Sequence, residues 1–168
     1  PWQEQYLGPT WPRSRPLSGR SFINAKATFI SATCTSCHRM KGEGTELGPD
    51  LTEVDKKYKG AALLREILEP SKLIEQKYRS YLIETEDDLL VGLILSEDDQ
   101  AVRVATNPLQ PDEVIEIPVD EIESKQPTTL SIMPAGLLDM LEKQQILDLL
   151  AYLESGGDPD HPVFKPSN

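Results

Sequence analysis

Two cysteines and a histidine stand together at Cys34-Thr35-Ser36-Cys37-His38. Thiols one helical turn apart can each add to a haem vinyl group, and the imidazole of the next residue then lies under the ring, within reach of the iron. The same residues suit three plainer roles: a C-x-x-C redox pair, half of a zinc site, or a structural disulfide. A redox pair has no need of His38. A tetrahedral zinc site needs more ligands than a chain with no further cysteine and one other histidine, His161, readily offers. The pattern points to one covalent haem c, attached through Cys34 and Cys37, with His38 as an axial ligand of the iron.

Iron held by histidine on one face commonly takes a thioether on the other, which favours the reduced state and raises the potential. The chain has three methionines. Met40 follows His38 closely and is tethered on its side of the ring, while Met140 falls on what reads as an apolar helical stripe. Met133 is followed by Pro134 in a loop just ahead of the closing helix. Methionine fills cores more often than it binds metal, but that loop position makes Met133 the candidate second ligand. His161 reads as a solvated side chain in the tail, with iron ligation in place of Met133 as the lesser alternative.

These residues need elements to hold them. Residues 1–18 are rich in proline and read as an extended arm or linker; Trp2 and Trp11 could cover a haem edge, and Arg13 or Arg15 could pair with a propionate. Over 19–33, Phe22, Ala25 or Lys26, Phe29 and Ile30 recur at helical spacing after a possible cap at Ser18. That helix leads straight into Cys34. Beyond His38, glycines permit tight turns and close backbone approach. A second amphipathic helix is expected over 59–69, with Ala62, Leu63, Leu64, Ile67 and Leu68 as its apolar face and Pro70 as its stop.

The next stretch changes period. Residues 81–85, 89–95, 101–105 and 114–117 read as four strands between acidic turns, with 119–124 a final short element and a possible bulge at Gly92. They predict an antiparallel meander or small barrel. The last helix is expected over 143–154, with Ile146, Leu149, Leu150 and Leu153 along one side and Gly156-Gly157 to stop it. Residues 156–168 read as an exposed tail. The haem lobe then comprises 19–77 and 126–155, and the acidic β insertion covers 78–125.

With 168 residues the chain can bury one core, with room for a small second lobe. Its net charge of -11 argues against nucleic acid, and no apolar run has the length of a membrane span. Between residues 78 and 125 there are 13 Asp or Glu against 3 Lys or Arg, so nearly all the acidity sits in the strand block. A well-solvated sheet surface is the plainer reading of that charge; a docking face for a basic partner is the other. The chain begins with proline and shows no signal peptide. Because haem c is attached outside the cytoplasm, a mature exported form or a piece of a longer chain is expected.

Taken in order, Cys34-x-x-Cys37-His38, Gly48-Pro49-Asp50-Leu51-Thr52, Glu69-Pro70-Ser71, the acidic strand block, Ser131-Ile132-Met133-Pro134 and Asp148-Leu149-Leu150-Ala151-Tyr152-Leu153 form a specific set. It resembles the planctomycete and verrucomicrobial type of haem-binding domain, a class I cytochrome c module, over about residues 19–155. The resemblance implies a mostly α class I fold carrying the inserted small antiparallel β domain, α+β overall. It implies His38 and Met133 as axial ligands, and the carbonyl of Pro49 as acceptor for the other ring nitrogen of His38. Gly48, Leu51 and Pro134 then line the cofactor, and Tyr152 packs an aromatic ring against the first helix. One departure is Glu142, where a capping Thr or Ser is expected.

The expected role is a one-electron carrier or relay, not an enzyme in itself, serving a redox partner protein or a fused dehydrogenase domain. A haem sensor or catalyst, with Met133 displaced by a diatomic gas or peroxide, is the competing reading. A third treats the strand block as an adhesive module, but its ring residues, Tyr78 and Tyr81, both sit at its start.

Overall fold

Helix α1 spans Phe22–Ser31 and starts where Ser21 accepts a hydrogen bond from the Asn24 N–H at 3.3 Å. The cap is therefore Ser21, three residues beyond the expected Ser18, because Gly19 has a left-handed φ of +76° and breaks the run. Ala25, Thr28 and Phe29 face inward, whereas Ile23 and Ile30 are exposed, so Ile30 is not on the buried stripe. The structure, a computed structural model, describes residues 17–110 and 112–166. The expectations for Trp2, Trp11, Arg13 and Arg15 lie outside the described residues.

Beyond α1, Thr33 turns left-handed and a single 3₁₀ turn, Cys34–Ser36, carries the first cysteine. Strands β1 (Arg39–Met40) and β2 (Glu43–Gly44) form a two-stranded antiparallel ribbon. Helix α2 spans Gly60–Leu68, with the expected end residues Lys59 and Glu69 serving as its caps. Leu63 and Leu64 are buried, but Ala62 points to solvent, because the core lies to the side of the two leucines.

Helix α3 spans Lys143–Glu154, the range its periodicity predicts. Glu142 caps it: its carboxylate accepts from the backbone of the third helical residue, while the Gln145 side chain accepts from the Glu142 N–H at 2.8 Å. The reciprocal pair does what Ser or Thr would do. The ring of Tyr152 lies 5.1 Å from that of Phe29 and 5.7 Å from that of Phe22, joining α3 to α1. With Ala25, Leu63, Leu64, Leu138, Leu149 and Leu150 these residues form the main core. Met140 is 93% exposed in the turns before α3, so it is on no apolar stripe.

The tail also differs from expectation. A 3₁₀ turn at Pro162–Phe164 sets the Phe164 ring edge-on to Phe22 at 5.2 Å, and the Val163 carbonyl accepts from the Arg20 N–H. One aromatic residue is enough to dock a segment that composition alone marks as solvated.

Between α2 and α3 lies a five-stranded antiparallel sheet: β3 (Arg79–Thr85), β4 (Leu89–Glu97), β5 (Ala101–Ala105), β6 (Val114–Pro118) and β7 (Ile122–Ser131). Its order is β6-β5-β4-β3-β7. Four strands form the expected meander, and the fifth grows from the short final element, which turns at Val119–Glu121 and then runs ten residues along β3. The sheet stays open, with β6 and β7 as edges, and Pro127 falls on the β7 edge, where a missing N–H costs least. Ile83, Val102, Val104 and Ile117 make a small core on one face. On the other, Leu93 and Ala105 meet Leu47, with half-buried Cys37 and Ile132 beside them.

Gly92 marks no bulge; the irregularity in β4 lies between Ile94 and Ser96. What Gly92 permits is close approach, since a Cβ there would lie 2.5 Å from both the Ala105 carbonyl oxygen and Val104 Cγ1. Gly92→Ala should therefore destabilise the protein by about 1–3 kcal/mol through overpacking against backbone. A lowered urea midpoint with an unchanged slope is the expected readout.

Candidate functional site

The attachment segment is fixed by its own backbone. The N–H groups of Cys37 and His38 both donate to the Cys34 carbonyl, at 3.2 and 2.9 Å, so the turn presents the two thiols and the imidazole together. Burial pushes the Cys34 thiol up to about 12 and raises that of Cys37 as well. Both sulfurs are protonated at neutral pH and unbridged, unlike the low-pKa thiolate of a working redox pair. Among the described residues, no three His, Cys, Asp or Glu side chains gather as a metal site. The zinc reading therefore gains no further donors.

Pro49 supplies the acceptor for His38. Its carbonyl lies 2.8 Å from His38 Nδ1, and because a carbonyl can only accept, Nδ1 carries the proton and Nε2 keeps its lone pair. Burial lowers the His38 pKa, against the opposing pull of the Pro49 carbonyl, so the neutral form is held. Gly48 closes this arrangement: a Cβ there would sit 2.7 Å from His38 Cε1 and 2.9 Å from Nδ1. Gly48→Ala should tilt the ring off Pro49 and lower the thermal midpoint and the yield of haem-loaded protein together. The expected cost is about 1–3 kcal/mol.

Cys34, Cys37 and His38 open onto a cleft of about 190 Å³, partly open to solvent. Gly48, Pro49 and Leu51 line it from one side, and Leu63 and Ile67 of α2 from another. Met133 lines it too, brought in from the far end of β7. Two serines hold that loop: the Ser131 N–H donates to Ser71 Oγ at 3.0 Å, and the Met133 N–H donates to Ser131 Oγ at 3.1 Å. Pro134 lies beside Met133 in a smaller apolar hollow that also touches Cys34, Cys37 and His38.

The other candidates lie elsewhere. Met40 is buried, and a Cβ at Gly157 would touch its side chain. His161 Nδ1 accepts from the Val163 N–H at 3.2 Å and lines neither hollow. Several cleft residues escaped the sequence reading: Tyr58 and Tyr78, and the ion pair Lys57–Glu75 at 2.5 Å. Ser71 carried a signal, since it stands directly after Pro70 in the ordered set of motifs.

The residues present fit an iron porphyrin. The cleft is largely apolar, an imidazole with its lone pair fixed faces it, a thioether reaches it, and two protonated thiols stand at its rim. In that cleft the two cysteines would hold the group by thioether bonds, with His38 and Met133 as its nitrogen and sulfur ligands.

The cytochrome c family model matches residues 22–101, from the first residue of α1 to the first of β5. No curated protein matches the chain. The family match supports a cytochrome c module, and with it haem c binding, electron transfer and a redox partner. Met133 and α3 lie beyond the matched segment. No described helix is long and apolar enough to cross a membrane.

Proposed function

Starting from a chain that carries a cytochrome c module, we propose that this protein is a one-electron carrier or relay with a single haem c. Cys34 and Cys37 would hold the group covalently, and His38 and Met133 would ligate its iron. The observation that carries the reading is the convergence, on one apolar cleft, of both thiols, the Pro49-fixed imidazole and Met133. When bound, the haem supplies a ferric/ferrous couple. The chain does the rest. Pro49 keeps the proton on Nδ1 and so directs Nε2 at the metal, and the Ser71–Ser131 pair holds the methionine loop.

The apolar walls lower the local dielectric, which disfavours the extra charge of the oxidised form. A filled sixth position leaves no site for a substrate, so the protein is not an enzyme in itself. It serves a redox partner, either a separate protein or a fused dehydrogenase domain, and it is exported, because haem c is attached outside the cytoplasm.

Absorption spectra of the oxidised and reduced protein test this. A methionine-to-ferric-iron charge-transfer band and a ferrous form indifferent to carbon monoxide are the expected results. Rapid carbon monoxide binding by the wild-type protein would replace the relay with a gas or peroxide site.

A further inference from the structure

The sheet does more than lie beside the cleft. The loop between β5 and β6 reaches the attachment turn, where the Pro108 carbonyl lies 3.7 Å from Cys37 Sγ. Pro108 and Leu109 then line the small hollow shared by Cys34, Cys37, His38, Met133 and Pro134. The loop is braced by its own bonds: the Leu109 N–H donates to Asn107 Oδ1 at 3.0 Å, and Asn107 Nδ2 donates to Gln110 Oε1 at 2.6 Å. A braced loop holds its tip in place. That tip is Leu109, 62% exposed.

Exposed leucines also occur elsewhere on the sheet, Leu89 among them. Leu109 differs in lining the hollow with Cys37 and Met133 while presenting its remaining surface outward. The sheet that carries it is acidic as a whole. Asp112 and Glu113 follow in the same loop, both exposed, and the block from 78 to 125 has 13 acidic residues against 3 basic ones. An apolar point within a field of one sign is a docking arrangement: the field steers the approach, and the apolar contact sets how long the pair stays together.

We infer that Leu109, on the braced turn Asn107–Gln110, is the contact point for a positively charged redox protein, which docks on the Cys37 side of the cleft. This rests on the electron-relay reading above. In the docked pair one electron passes between the two centres; the side that gives it up is oxidised by one unit and the side that takes it is reduced by one. The partner's basic surface is chosen by the charge of this sheet, and its own apolar contact by Leu109.

The test uses the full haem-loaded chain and three probes: a lysine-rich single-haem cytochrome, an acidic [2Fe–2S] ferredoxin, and a neutral flavin semiquinone. With the basic probe the second-order rate should fall as salt rises, and with the acidic probe it should rise. Leu109→Ser should slow the basic-probe reaction by about tenfold, a far larger loss than it causes in the flavin rate. Leu89→Ser, which alters an equally exposed leucine away from the hollow, should leave all three rates unchanged. Asp112→Asn with Glu113→Gln should flatten the salt dependence.

Equal rates for Leu109→Ser and wild type with the basic probe would overturn the inference, as would a basic-probe rate that does not fall with salt or an equal loss in Leu89→Ser. A dimer in sedimentation that Leu109→Ser dissociates would assign the surface to a second copy of the chain and also overturn it. A chain that binds no haem, or whose iron binds carbon monoxide rapidly, defeats the relay reading itself. That outcome is distinct from all the others.

Discussion

Acidified acetone should leave the pigment on the wild-type chain and remove it completely from a Cys34→Ser, Cys37→Ser double variant. Thioether bonds arise when a thiol adds across a vinyl group, and a serine hydroxyl in the same turn does not add. The backbone bonds from Cys37 and His38 to the Cys34 carbonyl involve no sulfur, so the double variant keeps the turn. It should also keep His38 on Pro49. The variant can therefore still bind haem, but only by ligation and burial. Haem stain on a denaturing gel separates the cases: signal at the chain's mass in the wild type, none in the double variant. Stain that persisted in the double variant would refute covalent attachment at these two residues.

Met133→Ala should lower the reduction potential by on the order of 0.1 V, since axial ligands set haem potentials over a range of about 0.8 V and thioether lies on the high side. The same variant should bind carbon monoxide in the ferrous state and lose the methionine charge-transfer band. The other two methionines are built-in controls. Met140 is 93% exposed and Met140→Ala should change nothing, whereas Met40 is 2% exposed and Met40→Ala should cost stability. Truncation of a buried methionine costs about 2–5 kcal/mol. Potential and stability thus report on different methionines, and a potential that fell with Met40 or Met140 instead would relocate the ligand.

The attachment turn was legible because its chemistry is local, three residues within five positions, whereas the acceptor Pro49, eleven residues past His38, was marked by the family resemblance. Helix α3 was legible for a related reason, since a leucine stripe and a glycine stop lie within its own span. What was not legible depends on distant neighbours. Ala62 and Ile30 sit at apolar positions of their helices, yet nothing packs over them, and periodicity alone does not say how wide the covered stripe is. Strand β7 shows almost no alternation and contains Pro127, because an edge strand that is half solvated is under weak compositional constraint. Phe164 reads as a tail residue until Phe22 is seen opposite it. The serine relay that holds Met133 begins with Ser71 and Ser131, 60 residues apart, and no local pattern marks such a bond.

Strand β7 leaves the sheet at Ser131, opposite Arg79, with a single residue between it and Met133. A slip of one register along β3 would carry the thioether about 3.3 Å and turn each β7 side chain to the other face. The pairing irregularity between Arg79 and Tyr81 falls at that very end, acting as a detent that fixes how much chain is paid out toward the cleft. The sheet is thus a ruler for the Met133 sulfur, and an insertion or deletion of one residue in β7 would move that sulfur within the cleft before it moved anything else.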